Sequence, residues 1–130
     1  MKNKIFLIIF FFIIFHNQSL SEPLRFESAE IEIKENGNKV IAKNGKAITQ
    51  NDSIEIEAAN FEYSKTSKVL KAFNGSAFLK LDNIKIDFDS LIYDEKNFII
   101  SANDNVKIFD FKKDLTITTD LIIFDQKKKI

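Results

Sequence analysis

The stretch IEIEAANFEYSKTSKVLKAFNGSAFLKL, residues 54–81, decides the fold because it contains a unit that recurs on both sides of it. Shifted by 30 residues, its apolar positions fall on similar residues, and a fourth copy follows after 31. A fixed period of this size is typical of a stacked repeat, in which one unit cannot bury its apolar face alone. The aligned columns are Leu24, Ile54, Ile84 and Leu115; Phe26, Ile56, Ile86 and Ile117; Ile31, Phe61, Leu91 and Ile122; and Ile33, Tyr63, Tyr93 and Phe124.

Within each unit, apolar and polar residues alternate, which predicts β-strands. In residues 54–58 the even positions are apolar, and from Ala59 to Tyr63 the odd positions carry the small or apolar residues. The same reversal falls at matching positions of the other units, so we predict a β-bulge in each long strand and a curved sheet.

The second part of the unit predicts a turn. A short strand is expected through Leu70 to Ala72, followed by Asn74-Gly75, and Asn44-Gly45 stands one period earlier. Asn-Gly is a strong hairpin-turn dipeptide because both residues tolerate positive φ. The spacing of these signals predicts about ten strands. No helical period follows residue 21, so the prediction is an all-β chain.

The first residues have a different character. Lys2 and Lys4 precede eleven unbroken apolar residues, Ile5 to Phe15, and small residues follow at Ser19 and Ser21. This pattern predicts a secretory signal peptide over residues 1–21, cleaved after Ser21. The alternative is a membrane anchor, but a spanning helix needs roughly 20 apolar residues. The remaining residues, 22–130, are expected to form one domain.

Composition excludes several classes of function. Without Lys2 and Lys4, 17 basic residues face 19 acidic ones, and this lack of basic excess argues against a nucleic-acid partner. The chain has no cysteine, and its one histidine, His16, lies in the predicted signal peptide. The carboxylates alternate with apolar residues and therefore predict the wet face of a sheet. We expect no catalytic residues, no metal and no cofactor.

The apolar face of the predicted sheet has two possible fates. No helix is expected to cover it, so the sheet must fold over onto itself. Such a curved sheet forms a sandwich if it shuts and a lipid groove if it stays open. Periodicity alone does not decide between these two outcomes.

Three segments carry a family resemblance: Val40-x-Ala42-x-x-Gly45-x-Ala47, Ile54-x-x-x-x-Ala59-x-x-x-Tyr63 and Leu70-x-Ala72-x-x-Gly75-x-Ala77. They resemble the OstA-like repeat of the lipopolysaccharide transport family, which includes LptA, LptC and the N-terminal periplasmic domain of LptD. The resemblance extends over residues 24–130. It implies an open antiparallel β-jelly roll, V-shaped in section and without enzymatic activity. It also implies transport of lipopolysaccharide toward the outer membrane, with the acyl chains held in an apolar groove.

The resemblance also implies site residues and partners. The partners would be lipopolysaccharide and other Lpt proteins, including further copies, joined through edge strands. The alanines at 42, 72 and 102 would let the two sheet halves approach each other. Asn105 replaces the glycine of the third unit, and Asp89 and Asp120 replace the alanine of the long strand. Carried over by position, the groove lining is Ile31, Ile33, Ile54, Ile56, Phe61, Tyr63, Ile84, Ile86, Leu91, Tyr93, Leu115, Ile117, Ile122 and Phe124.

The expected location is the periplasm, with attachment to the outer membrane if the chain is the front of a longer LptD-like protein. The fourth unit stops at Ile130, where its second strand should begin. The segment from Leu115 to Phe124 contains no proline, so we predict an edge strand that is free to pair with another OstA-like domain. The alternative function is that of an exported structural or adhesive β-repeat protein without lipid cargo.

Overall fold

The computed structural model describes residues 24–49 and 51–126. The predicted signal peptide, residues 1–21, and its cleavage site lie outside the described residues. The described residues form one sheet of seven antiparallel strands, in which each strand pairs with the next along the chain. The strands are β1 (Leu24–Lys34), β2 (Lys39–Thr49), β3 (Ile54–Ser64), β4 (Val69–Leu79), β5 (Ile84–Asp94), β6 (Ile99–Asp110) and β7 (Leu115–Asp125). A 3-10 turn, Glu35–Gly37, lies between β1 and β2.

The 30-residue period is the length of two strands with their loops. Each of β1 to β5 contains 11 residues, and four residues separate each strand from the next. One strand with its loop therefore spans half of the period. β6 contains 12 residues, and this extra residue explains why the last unit follows after 31. The prediction of about ten strands is wrong because half of its expected turns lie inside strands.

The two Asn-Gly dipeptides lie in the middle of strands and not in hairpin turns. Asn44 and Asn74 have φ values of 53° and 59°, but β2 and β4 continue through them. The predicted short strand at residues 70–72 is therefore only the first part of β4. The left-handed residue reverses which side chains face inward, so Leu70 and Ala72 are buried before it and Ala77 after it.

In the odd-numbered strands, the predicted switch of the inward-facing residues from one parity to the other is present. In β3, residues 54, 56 and 58 are buried before the reversal, and Phe61 and Tyr63 after it. Its predicted form, one extra residue in each long strand, is wrong because the partner strand reverses at the same level and the register is kept. Ala58 pairs with Gly75 and Asn60 with Phe73. Among the described pairs, the register shifts only on the two sides of β6.

These reversals form a line across the sheet, which we call the kink line and define by Asn44, Asn74 and Asp104. Asp104 also has a positive φ, 65°. The kink line divides the sheet into half A, which borders the loops at 51–53, 80–83 and 111–114, and half B, which borders the loops at 35–38, 65–68 and 95–98.

The two halves face each other. Phe26 of half A is level with Ile56 along the ladder, through Ala47, and Phe61 lies five residues further along β3, about 17 Å in an extended strand. The ring centroids of Phe26 and Phe61 are nevertheless 5.8 Å apart, and those of Phe26 and Tyr63 are 6.2 Å apart. The sheet is therefore folded over itself, as the expected lack of a covering helix predicts.

The loops at each end of the fold are joined to one another. On the side of half B, the amide of Lys65 donates to the carbonyl of Asn38 at 2.8 Å, and that of Glu95 donates to the carbonyl of Lys68 at 3.0 Å. On the side of half A, the amide of Lys80 donates to the carbonyl of Ser53 at 2.9 Å. Loops two strands apart thus stack and continue the repeat beyond the sheet. Within residues 24–49 and 51–126, no helix has the length and apolar content needed to cross a membrane.

Candidate lipid-binding interior

The predicted lining residues fall into three groups by exposure. The first group, on β3 and β5, lies in the buried core: Ile54, Ile56, Phe61, Tyr63, Ile86, Leu91 and Tyr93. The second group packs partly against that core: Ile84, Ile122 and Phe124. The third group is exposed, on the two outermost described strands: Ile31, Ile33, Leu115 and Ile117.

The centre of the interior is closed. Leu70, Leu79 and Ile100 of the even-numbered strands are almost fully buried beside the predicted lining. Sequence reasoning left them out of the lining because the short-strand interpretation broke up the even-numbered strands. The alanines at 42, 72 and 102 are all 0% exposed, and their role in the approach of the two halves stays a prediction.

The interior reaches the surface at both lateral edges of the described sheet. On β1, Ile31 and Ile33 are 50% and 54% exposed, and on β7, Leu115 and Ile117 are 48% and 44% exposed. Ile31, Ile33 and Ile117 lie opposite buried apolar residues of the neighbouring strand, Ala42, Val40 and Ile108, whereas Leu115 lies opposite Asp110. An apolar surface therefore runs from the β1 edge, through the core, to the β7 edge at Ile117.

Glycines at the kink line allow close packing of the backbones. A methyl group added at Gly75 would lie 2.7 Å from Cα of Ala58 and still closer to the carbonyl oxygen of Glu57. At Gly45 the corresponding neighbours are Ser28 and Glu27 of β1. In the third unit no glycine is present, and the extra residue of β6 accommodates Asp104 and Asn105 in left-handed conformations. The replacement of the third unit's glycine by Asn105 thus has a structural counterpart in the extra residue of β6.

A polar group lies at the half B end of the interior. The hydroxyl of Tyr63 donates to Oε1 of Glu95 at 2.6 Å. Burial raises the pKa of Glu95, and the Tyr63 hydrogen bond and the charge of Lys68 oppose that rise. Burial, with the nearby charges of Glu95 and Asp94, raises the pKa of Tyr93 to about 12. Tyr93 is therefore neutral at physiological pH, and this end of the interior combines apolar rings with a half-buried carboxyl group.

The half A end is closed by a hydroxyl network. Thr49, 6% exposed, donates from Oγ1 to Oδ1 of Asn51 at 3.0 Å and accepts the amide of Ile54 at 3.1 Å. Oγ of Ser53 donates to the same Asn51 oxygen at 2.7 Å. No buried side-chain nitrogen or oxygen among the described residues lacks a partner. The buried side-chain polar atoms described at this end are therefore all paired within the protein.

The outer face carries the charges, as the alternation predicts. Glu55 lies between Lys46 and Lys80, at 3.1 and 3.4 Å. The hydrogen bond and the charge of Lys46, with a further contribution from Lys80, lower the pKa of the Glu55 carboxyl group. Within the described part of the chain, no group of three or more aspartate, glutamate, histidine or cysteine side chains could hold a metal ion.

An aromatic cluster on the outer face was missed by sequence reasoning. The rings of Phe109 and Phe111 stack at 6.4 Å, Phe78 meets Phe111 edge-on at 6.5 Å, and Nζ of Lys85 lies 5.7 Å from the Phe109 ring centre. The pairing register of the strands would have indicated this cluster, because Lys85 pairs with both Phe78 and Phe109. The cluster lies outside the apolar interior and does not extend it.

The fold defines the class of protein: an open, all-β jelly roll of the OstA-like kind, as the sequence predicted. No family model matches the sequence, and no curated protein matches it significantly. Among solved structures, the fold matches LptH, the LptA homologous periplasmic component of the lipopolysaccharide transport device from Pseudomonas aeruginosa, with a TM-score of 0.68. The match has 15% sequence identity and covers 81% of this chain and 77% of LptH. It confirms the LptA-like fold.

Proposed function

We propose that this chain is a periplasmic lipopolysaccharide-binding module that carries its cargo toward the outer membrane. The observation that carries the proposal is the apolar interior, which reaches both lateral edges through Ile31 and Ile33 on one side and Leu115 and Ile117 on the other. The fold that the chain shares with LptH, a component of a lipopolysaccharide transport device, supports the same function.

Acyl chains would enter where the interior is already exposed. Burial of one methylene contributes about 0.8 kcal/mol, so a dozen contribute roughly 10 kcal/mol as an upper bound. The centre, with Ile56 and Phe61 at 0% exposure, admits a chain only when halves A and B separate. We place the hinge of this movement at the kink line, because its residues are the ones that bend every strand of the even-numbered set. The lining side chains that become exposed when the two halves separate would then be covered by lipid.

The edge strands complete the transport proposal. β1 and β7 each have one partner among the described strands, and strand addition to another Lpt protein would align one interior with the next. The proposed location is the periplasm, and the predicted signal peptide at residues 1–21 supports it. Attachment to the outer membrane applies if the chain is the front part of an LptD-like protein.

The experiment uses substitutions at exposed lining positions, where the fold tolerates them. Ile33→Asp and Ile117→Asp place a carboxylate on the path of the acyl chains, and a carboxylate in an apolar environment loses its hydration. We expect both variants to lose crosslinking to lipopolysaccharide from a photoreactive residue at position 31. Thr118→Asp is the matched control, since it puts the same charge on the outer face of β7 and should leave crosslinking intact. Aspartate at buried Tyr63 or Ile86 is unsuitable because it would unfold the core.

Circular dichroism establishes that each variant is folded. Equal crosslinking in the folded Ile33→Asp, Ile117→Asp and Thr118→Asp proteins would contradict the proposal. Mass analysis of lipids extracted from protein purified from the periplasm gives a second readout, and we expect lipopolysaccharide to be enriched in it.

The closed centre favours a second candidate, an exported structural or adhesive β-repeat protein without lipid. Ile56, Phe61 and Leu70 are all 0% exposed, so the interior already serves as an ordinary core. A protein that co-purifies with no lipid, and whose thermal unfolding is unchanged by added lipopolysaccharide, would support this candidate against the transport proposal.

A further inference from the structure

The outer face of half A contains a hollow of about 310 Å³ that the proposed function does not use. Its lining comes from three neighbouring strands and from the residue that follows β6. Successive residues of a strand point to opposite faces of a sheet, so the hollow lies across the sheet from buried Ile56 and Ile86. The lining residues are Glu55, Glu57, Ser76, Phe78, Lys85 and Phe111.

Two phenyl rings form the apolar side of this hollow. Phe78 and Phe111 are 36% and 53% exposed, and their ring centroids lie 6.5 Å apart in an edge-on contact. Phe111 also stacks on Phe109 at 6.4 Å, so contacts on two sides fix its position. The ammonium of Lys85 lies over the Phe109 ring. Among the described residues, no cation lies over Phe78 or Phe111 in this way.

The charges around the hollow leave one carboxylate without an ion pair. Glu55 lies between two lysine ammonium groups, at 3.1 and 3.4 Å, and Nζ of Lys85 lies 3.7 Å from Oδ1 of Asp87. Within residues 24–49 and 51–126, Glu57 takes part in no ion pair. The lining contains two carboxylates and one ammonium group, so it carries a net charge of −1.

A second hollow, of about 420 Å³, continues from the first toward the kink line. The two hollows share Glu57 and Ser76, and Asn44 and Asn74 also line the second. We call the two hollows together the outer groove. From Asn74 to Phe78 the distance along β4 is about 13 Å in an extended strand. The outer groove therefore has an apolar end, an acidic centre and an amide end, over the length of a short extended peptide.

We propose that the outer groove binds an extended segment of a partner protein through an arginine side chain. The guanidinium group would stack on Phe111 and donate two hydrogen bonds to the carboxylate of Glu57, because it is planar and matches the geometry of a carboxylate. The segment would continue past Asn44 and Asn74, whose side-chain amides both donate and accept hydrogen bonds. This site lies on the opposite face from the acyl-chain path, so it goes beyond the proposed function and does not depend on it.

Charge distinguishes this occupant from other ligands. Lipopolysaccharide and inorganic phosphate are anionic, and Glu57 would repel them. A neutral sugar would cover a phenyl ring but would leave the charge of Glu57 uncompensated. A small polyamine would compensate that charge but would leave the amide end empty. The arginine-bearing segment uses the apolar end, the acidic centre and the amide end together.

The first test titrates the purified mature chain, labelled with ¹⁵N, with the peptide acetyl-Gly-Arg-Leu-Gly-amide. We expect backbone amide signals of Ser76, Phe78 and Phe111 to shift, and binding to weaken as salt is added. The same peptide with citrulline in place of arginine has the same shape without the charge, and should bind at least about fivefold more weakly. Equal affinity for the two peptides, or no shifts up to about 10 mM peptide, overturns the proposal.

The second test changes the protein. Glu57→Gln removes the charge, and Phe111→Leu removes the ring but keeps an apolar side chain. Each should weaken binding of the arginine peptide by about three- to tenfold, with circular dichroism showing that the fold is kept. Glu30→Gln is the matched control, because Glu30 is an exposed glutamate without an ion pair on β1, outside the groove. An equal loss in Glu30→Gln and Glu57→Gln would overturn the site.

Titrations with other probes distinguish the occupants. Spermidine, maltose or inorganic phosphate that shifts the same amides at an affinity equal to that of the arginine peptide would overturn the proposal in favour of an amine, a sugar or an anion. Glu57→Gln should retain crosslinking to lipopolysaccharide, because the groove and the apolar interior lie on opposite faces. Failure of the peptide proposal and failure of the transport proposal are therefore separate results.

Discussion

Substitution of Gly75 by alanine should destabilise the fold severely, because β3 lies against this position. The added methyl group would meet Cα and Cβ of Ala58 at 2.7 and 2.8 Å, whereas non-bonded carbon atoms prefer about 3.5–4.0 Å. The carbonyl oxygen of Glu57 would be nearer still. Gly75 does not need a left-handed φ, so the effect is steric. In a position without this contact, glycine to alanine would instead stabilise the protein by about 0.4–1 kcal/mol.

The expected loss is about 3 kcal/mol, at the upper end of the range for overpacking, because backbone atoms of an internal strand cannot move aside. For a domain of this size, that loss lowers the Tm by about 12–24 °C. Urea unfolding and thermal unfolding, both followed by circular dichroism, measure the two quantities. A change of less than about 0.5 kcal/mol, or a gain in stability, would refute the reasoning.

Two further variants identify the origin of the loss. Ala58→Gly combined with Gly75→Ala removes one methyl group but leaves the contacts with the backbone of β3, so we expect little rescue. Gly45→Ala makes the same kind of contact with Ser28 and Glu27, but β1 is the outermost of the described strands and can shift outward. It should therefore cost less than Gly75→Ala. Full rescue by Ala58→Gly would show that side chains, and not backbones, set the limit.

Three other predictions concern loops and charges. Lys68→Asn should raise the free energy of unfolding in urea by about 0.5 kcal/mol, because Lys68 has a φ of 57° and asparagine tolerates this conformation better. Glu95 has a raised pKa in the folded chain, so its contribution to stability is present below the unfolded pKa and is lost as the pH rises through the folded value. Glu95→Gln keeps an acceptor for Tyr63 and should lose less stability between about pH 4 and pH 7 in urea titrations. Glu55 has a lowered pKa, so its contribution to stability is present above the unfolded pKa and is lost as the pH falls through the folded pKa. Glu55→Gln should lower the free energy of unfolding in urea by about 0.5 kcal/mol at neutral pH, and by less at high salt.

The class of the fold could be predicted from the sequence because alternation and periodicity are local patterns. The columns that contain Ile56 and Phe61 are inner positions, and their spacing records the length of two strands with their loops. The resemblance to the OstA-like repeat supplied the open jelly roll, which the likeness to LptH confirms.

The positions of the turns could not be predicted in the same way. Asn74-Gly75 has the dihedral preference of a hairpin turn, and Asn74 does adopt positive φ, but here the conformation reverses the faces of a continuing strand. The true loop at residues 65–68 contains neither glycine nor proline. Local preference identifies a positive φ and does not say whether the chain turns back there.

The exposure of the lining could not be predicted because it depends on contacts between the two halves. Ile33 and Tyr63 occupy the same column of the repeat, yet Ile33 is 54% exposed and Tyr63 is 2% exposed. The difference arises from position in the sheet, since an internal strand has neighbours on both sides and an edge strand has one. A pattern that is identical in every unit does not contain this information.

The half-period of one strand and one loop makes the length of the fold modular. Duplication of a strand pair would add about 10 Å across the sheet, since neighbouring strands lie about 4.8 Å apart. Because a pair restores the original strand direction, the last edge of the longer protein would keep its orientation and its inner residues. Duplication of a single strand would reverse that edge and exchange the loops at its two ends. Gene duplication in steps of two strands is therefore a simple route by which such a chain could match different distances to be spanned.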